Sequence, residues 1–551
     1  MSETLGLPAL LRDSAREHPT RAALVLPTGY RHRSGASGFR VTTYAELLQR
    51  TDAVAARLTG LGVGPGLRTA LLVPPQLDFF ALTFALLRIG AVPVLIDPGI
   101  GQANVRRCLA QVAPRAFIGV PRAHLARVAL RWCPSARLFV TVGRRIPGRL
   151  AVPGGAVSLD EEEPASDPLL EPAVDPTATA AIAFTSGSTG PAKGVEYRQS
   201  HFLAQIELIR ELYDVRAGEV SLSTFPPFAL FGPALGLTTV IPRMNPSRPA
   251  HVDPSRVADA ANSFGASLMF GSPALLDTVG RWGAVSGARM PTLTRVISAG
   301  APVTPAVQRR LLAMLGPAAE IHSPYGATEA LPVTSVGSRE VLALSEPGIC
   351  VGRPVTGVDL AILPITDEKI PSVDSSAFLA AGAVGEIVVR GPNVTASYAG
   401  RPADTAAAKT RWENEVAHRM GDLGYLDTAG RLWFCGRKAH RVLTADGPMF
   451  TVPCEAVFNA HPAVMRSALV GVGPRDRQQP VLCVELEPTV KRESVLTAEL
   501  LTLGAGHRHT APIRTVLYHG GFPVDVRHNA KIDRAALARW AARRLRWSRR
   551  R

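Results

Sequence analysis

The chain is poor in the features that mark several large protein classes. Cysteine is scarce: six in 551 residues, at Cys108, Cys133, Cys350, Cys435, Cys454 and Cys483, with no C-x-x-C pair and no Cys/His metal spacing. That argues against a disulfide framework or a zinc site, and the thiols are expected to be reduced and buried, as in a cytoplasmic protein. The start, Met1-Ser2-Glu3, lacks the basic and then apolar regions of an export signal. Long hydrophobic runs are missing as well. The most apolar stretch, residues 79–96, is broken by Arg88, Gly90 and Pro93, and reads as a core helix, a turn and a strand rather than a membrane span. Acidic residues are the minority charge, 45 against 61 Lys and Arg, for a formal net charge of +16. Such an excess raises nucleic-acid binding as a question. The arginines are dispersed, however, and no basic stripe is interleaved with aromatics, so no nucleic-acid partner is expected. The exception is residues 539–551, with seven arginines and two tryptophans. This end suits peripheral contact with an anionic membrane surface, although a charge run is more often a solvated helix end.

What is present is a chain long enough for at least two domains, with an ordinary apolar share of 46%. Helical spacing is predicted over residues 8–17, with Pro8 in the first turn. A second helix starts at Tyr44 behind Thr43 as N-cap, and further helices cover 77–87 and 201–213. Short apolar strands are predicted at 69–74, 92–96 and 180–184. Strand, helix, strand at this spacing argues for a parallel sheet covered by helices. Residues 152–176 are acidic, hold five prolines and read as an exposed connection.

The stretch that organises the chain follows the 180–184 strand: Thr185-Ser186-Gly187-Ser188-Thr189-Gly190-Pro191-Ala192-Lys193-Gly194. Small residues let backbone N–H groups approach an anion, glycines tolerate the necessary backbone angles, hydroxyls add donors and the lysine adds a mobile charge. This is the chemistry of a polyphosphate cradle. It is neither a Walker loop, because Ala192 and not Gly precedes Lys193, nor a G-x-G-x-x-G. Further on, Gly271-Ser272-Pro273 and 298–302 each close an apolar strand, where open α/β sheets bind ligands. Residues 225–237, rich in Phe and Pro, make a poor helix and a stiff apolar surface.

The loop resembles the phosphate-binding signature of the acyl-adenylate-forming superfamily, the acyl-CoA synthetases, luciferases and peptide-synthetase adenylation domains. Its proline stands one place early, at Pro191. Tyr325-Gly326-Ala327-Thr328-Glu329 resembles that superfamily's Y-G-x-T-E, and Gly421-Asp422-Leu423-Gly424 its ribose-binding motif. Gly436-Arg437-Lys438 resembles its hinge, and Lys531 stands where its catalytic lysine does. The resemblance implies an α/β fold: a large N-terminal domain, 1–435, of parallel or mixed sheets covered by helices, and a small mobile α+β C-terminal domain, 436–551. It implies ATP and Mg²⁺ as cofactors. ATP would be held by Thr185, Ser186, Gly187, Ser188, Thr189 and Gly190, by Gly300, Ala301 and Pro302 at the adenine, and by Tyr325, Gly326, Ala327, Asp422 and Arg437. Glu329 would bind the metal, in line with magnesium's habit of taking one carboxylate, several waters and phosphate oxygens. Lys531, Thr328 and Lys193 would be catalytic, and Phe228 and Phe231 would line the acyl pocket.

The chain departs from coenzyme A and carrier-protein ligases after the hinge, where their K-x-x-G element reads Leu443 to Asp446. A narrower resemblance accompanies that departure. Tyr197-Arg198-x-x-His201-Phe202, the 225–231 run, Trp433-Phe434-Cys435-Gly436-Arg437-Lys438 with His440, and Phe522 through Asn529-Ala530-Lys531-Ile532 look like the olefin β-lactone synthetases. This implies a long-chain 2-alkyl-3-hydroxy acid as substrate. The acid is activated as an acyl adenylate and then attacked by its own 3-hydroxyl. Well-oriented intramolecular attack contributes roughly 7–11 kcal/mol of barrier lowering, and no thiol is needed. His440 and His201 are the candidate bases for that hydroxyl. Other enzymes of the same pathway are expected as assembly partners. The competing expectations are a fatty-acyl-AMP or acyl-CoA ligase, and a catalytically silent nucleotide-binding scaffold.

Overall fold

The computed structural model describes residues 6–28, 38–143, 156–160, 175, 177–185, 191–346, 348–488, 490, 494–524 and 531–548. The expected strand–helix alternation is present from the start. Leu7–Glu17 is a helix with proline in its first turn. Helix Tyr44–Gly60 begins with a capping box, the Thr43 hydroxyl accepting from the Glu46 amide and the Glu46 carboxylate accepting from the Thr43 amide. Helix Leu77–Arg88 is buried along its whole middle, from Phe79 to Leu87, as its all-round apolar sequence requires. It packs into a core shared by helices Leu7–Glu17 and Tyr44–Gly60 and by strands of both large sheets.

Among the described residues one sheet has seven strands, in the order Val157–Ser158, Leu138–Thr141, Ala116–Gly119, Arg68–Leu72, Val92–Leu95, Thr179–Phe184, Gly194–Arg198. All neighbours are parallel except the last pair, an antiparallel hairpin whose connection is the hydroxyl-rich loop. The 152–176 connection lies mostly outside the described residues. Where it is described, Val157–Ser158 joins the sheet edge instead of remaining an exposed linker, because Ser158 and Leu159 find buried places there.

Among the described residues the second sheet has 15 strands; from an antiparallel edge pair, Phe39–Thr43 and Ala22–Pro27, it continues through parallel strands Thr238–Val240, Val220–Ser223, Leu268–Phe270, Arg295–Ile297 and Glu320–Ala327. It then turns antiparallel through Ala330–Gly337, Ile349–Pro354, Leu432–Arg437, Glu415–Leu426 and Gly385–Arg390. Residues 225–237, expected to resist helix formation, form two single-turn helices, Pro226–Ala229 and Phe231–Ala234. Proline at the first helical position costs no hydrogen bond, which is why so stiff a segment can still turn. A smaller C-terminal domain has its own sheet, Val464–Val472, Gln479–Leu486 and Val516–Tyr518, with helices Thr451–Asn459, Ser494–Ala505 and Arg534–Ser548. All six cysteines are buried and unbridged.

Candidate active site

The hairpin between the two sheets' ends sets the geometry. Thr185 closes the loop twice: its amide donates to the Lys193 carbonyl at 3.0 Å, and its hydroxyl accepts from the Lys193 amide at 3.0 Å. Ser186, Gly187, Ser188, Thr189 and Gly190 lie outside the described residues. Beyond the clamp, the Lys193 ammonium sits 3.1 Å from Asp404 Oδ1 and 4.9 Å above the Tyr398 ring.

Against strand Gly194–Arg198, which follows the loop, stands the turn between strands Glu320–Ala327 and Ala330–Gly337 that carries Thr328 and Glu329. Gly326 is required sterically, since a Cβ there would meet the Ala330 carbonyl at 2.6 Å. Three groups pin the turn. The Tyr197 hydroxyl donates to the Thr328 carbonyl. Thr395 donates to the Glu329 carbonyl through its amide (2.9 Å) and its hydroxyl (3.0 Å). The Tyr398 hydroxyl donates to Glu329 Oε1 at 2.6 Å. The Glu329 side chain is thus buried, 8% exposed, with Oε2 taking no hydrogen bond among the described residues. Burial and the Glu329 charge push the Tyr398 and Tyr197 phenols up, so both remain protonated donors.

Asp422 forms the third wall. It is 3% exposed and accepts from the Tyr325 hydroxyl at 2.7 Å through Oδ2. Arg437 Nε stands 3.1 Å from Oδ1 but out of line for a hydrogen bond, leaving that oxygen buried and unpaired. Burial raises the Asp422 carboxyl's pKa, opposed by Arg437, the Tyr325 hydrogen bond and the charge of Lys531. Lys531, on the C-terminal domain, is therefore near enough to be felt at Asp422. The Asp422 charge raises the Arg437 guanidinium further above its ordinary value. Gly300, Ala301 and Pro302 occupy the loop after strand Arg295–Ile297, with Gly300 at φ +95° and both Gly300 and Pro302 exposed.

The aromatic residues form one connected wall. Phe228 stacks on Phe270 (4.2 Å between centroids) and meets Phe231 edge-on; Phe231 contacts Phe202, which stacks on Tyr197 at 5.0 Å. Because Tyr197 holds Thr328, the apolar wall ends at the polar turn.

The two histidines have different surroundings. His201 is the N3 residue of helix Gln199–Leu212, and its Nδ1 accepts from the Arg198 amide at 3.1 Å. Burial first, then Arg198 and Lys409, pull its pKa down to about 4. His440 is half-buried at the end of the helical turn Lys438–His440. Burial, then Arg534 and Arg437, bring it to about 4, with Asp533 opposing.

Sequence reasoning missed Tyr398, Thr395, Lys409, His418 and Asp404. Only Lys409 and His418 carried a signal: two basic residues in strands otherwise built for a sheet, which the hairpin register pairs directly. Burial brings Lys409 down to about 7, opposed by attraction to Glu329.

The structure thus holds two buried carboxylates, Glu329 with one oxygen bonded to Tyr398 and Asp422 beside Arg437, and closes the base of the hydroxyl-rich loop between Thr185 and Lys193. Residues 11–399 match the AMP-binding enzyme family, and the chain belongs to it. More particularly, it is 48% identical, over 98% of both chains, to a protein of Xanthomonas campestris pv. campestris named olefin beta-lactone synthetase. A protein of the same name from Stenotrophomonas maltophilia is 47% identical over 99% of both chains. The fold is shared with the amide bond synthetase McbA from Marinactinospora thermotolerans, at TM-score 0.78 and 23% identity over 97% of this chain and 99% of that one. It is shared also with O-succinylbenzoate coenzyme A synthetase from Bacillus subtilis in complex with AMP, at TM-score 0.74 and 19% identity over 96% and 97% of the chains.

Proposed function

We propose that the chain is an ATP-dependent β-lactone synthetase. It converts a 2-alkyl-3-hydroxy fatty acid into a β-lactone, releasing diphosphate and AMP. The observation that carries this reading is the match of nearly half of all positions, end to end, with proteins of that name.

In this reading the acid's carboxylate attacks the α-phosphorus of ATP and diphosphate leaves. Lys193 and the loop hold the phosphates, Asp422 and Arg437 the ribose and α-phosphate side, and Tyr325 and 300–302 the adenine. Lys531 offsets charge at the attacking carboxylate. Glu329 fits a magnesium ion, having one oxygen oriented by Tyr398 and the other open; the bound ion supplies neutralisation of phosphate charge. The 3-hydroxyl then attacks the acyl carbon, its proton passes to a base, and the C–O bond to AMP breaks as the four-membered ring closes. We assign the base to His440, since His201 spends Nδ1 on its helix cap and burial keeps the His440 ring neutral. Phe228 and Phe231 line the alkyl chains. The boundary near 436 serves as a hinge between adenylation and ring closure. The chain works in the cytoplasm beside other enzymes of its pathway; among the described residues no helix is long and apolar enough to cross a membrane.

The test is purified protein with ATP, Mg²⁺ and a racemic 2-alkyl-3-hydroxy acid, without coenzyme A, followed by NMR for the lactone and by AMP release. AMP release only after a thiol acceptor is added refutes the proposal in favour of an acyl-CoA ligase.

A further inference from the structure

Next to Thr395, which holds the Glu329 main chain, lies a basic cluster that the reaction above does not use. Lys409 opens strand Lys409–Trp412, and its Cα pairs with that of His418 across the hairpin. Its ammonium donates to Thr395 Oγ1 at 3.4 Å, and that hydroxyl donates on to the Glu329 carbonyl at 3.0 Å. His418 Nδ1 is paired with the Ala408 carbonyl at 3.1 Å, and His201 Nδ1 with the Arg198 amide. Burial holds both imidazoles neutral, helped at His201 by the neighbouring Arg198 and at both by Lys409. Across the Lys409–His418 pair the charge is therefore the lysine's, and among the described residues no carboxylate stands at ion-pair distance from it. The anion it feels is Glu329.

We propose that Lys409 is a resident counter-cation for Glu329: a positioning residue that steadies the Glu329 main chain through Thr395 and weakens the carboxylate's hold on a bare divalent ion, so that metal enters with the nucleotide. The proposal rests on the reading of Glu329 as the metal carboxylate. A second positive charge brought to Glu329 is repelled by the ammonium in a partly desolvated place, where like charges interact strongly. An ion arriving with ATP brings phosphate charge that offsets the repulsion; a bare ion does not.

The test is Mn²⁺ binding to the nucleotide-free full-length protein, read by the EPR signal of free Mn²⁺ at pH 6.5. Lys409→Met and Lys409→Gln are expected to bind Mn²⁺ about fivefold tighter or more than wild type. Lys409→Arg stays at the wild-type value, and adding Glu329→Gln to Lys409→Gln removes the gain. Lys409→Gln keeps a donor for Thr395 and guards against a folding failure of the methionine variant, with thermal melting as the check. Unchanged or weaker Mn²⁺ affinity in folded Lys409→Gln overturns the proposal. If Glu329→Gln alone leaves the affinity for Mn²⁺–ATP at the wild-type value, the metal reading falls and the proposal with it.

Discussion

Changing Tyr398 to phenylalanine removes a single oxygen atom. The ring that Lys193 overlies remains, and so does the packing around a side chain that is 5% exposed. What disappears is the 2.6 Å bond from the phenol to Glu329 Oε1. It is a short, charge-assisted bond between two buried groups, and such a bond contributes about 1.5–3 kcal/mol. If the energy is needed to hold Glu329 for the metal and phosphates, kcat/KM for Mg–ATP falls roughly 10- to 150-fold, at 1.36 kcal/mol per factor of ten. The assay is acid-dependent ATP–diphosphate exchange, which reads adenylation without ring closure. A wild-type melting temperature would show that the fold is intact. An exchange rate within twofold of wild type would refute the reasoning, because the carboxylate would then be oriented by its turn alone.

The other predictions concern neighbouring parts. Asp422→Asn keeps the shape but removes the charge facing Arg437 and turns one of the two acceptor oxygens into an NH₂ donor, so ATP affinity measured by calorimetry drops by about tenfold or more. Phe228→Ala opens the aromatic wall beside Phe270 and raises KM for the long-chain acid severalfold while leaving KM for ATP near wild type. His440→Gln leaves ATP–diphosphate exchange running and slows lactone release, seen by rapid quench as accumulated acyl adenylate. His201 titrates near 4 in the fold against about 6.5 unfolded, so between those values the unfolded chain binds more protons and stability falls as pH drops. The melting temperature of His201→Gln is accordingly less acid-sensitive than that of wild type between pH 7 and 5.

Much of the fold was legible in local pattern. The Thr43–Glu46 capping box, the fully apolar helix after Leu77 and the short strands at 68–72 and 92–95 all follow from period, caps and breakers. Residues 226–234 misled, because proline disfavours helix interiors but is welcome at a helix start, and these helices are little more than starts. At the site, Glu329, Asp422, Tyr325, Arg437 and Lys193 could be named because each sits in a short motif. Tyr398 and Lys409 sit in none, and they reach Glu329 from 69 residues away and beyond only because strands fold back.

The amino-acid order thus determined which groups are available: a hydroxyl-rich loop, two carboxylates in short glycine-containing motifs, an arginine at the end of a strand and a lysine near the end of the chain. These are properties of contiguous residues, set by backbone freedom and side-chain type. Tertiary structure decided which of those groups touch, which oxygens are left open and which charges face one another. Burial and Coulomb attraction act through space, so the coupling of Lys409 to Glu329 exists only once the sheet brings the two near each other.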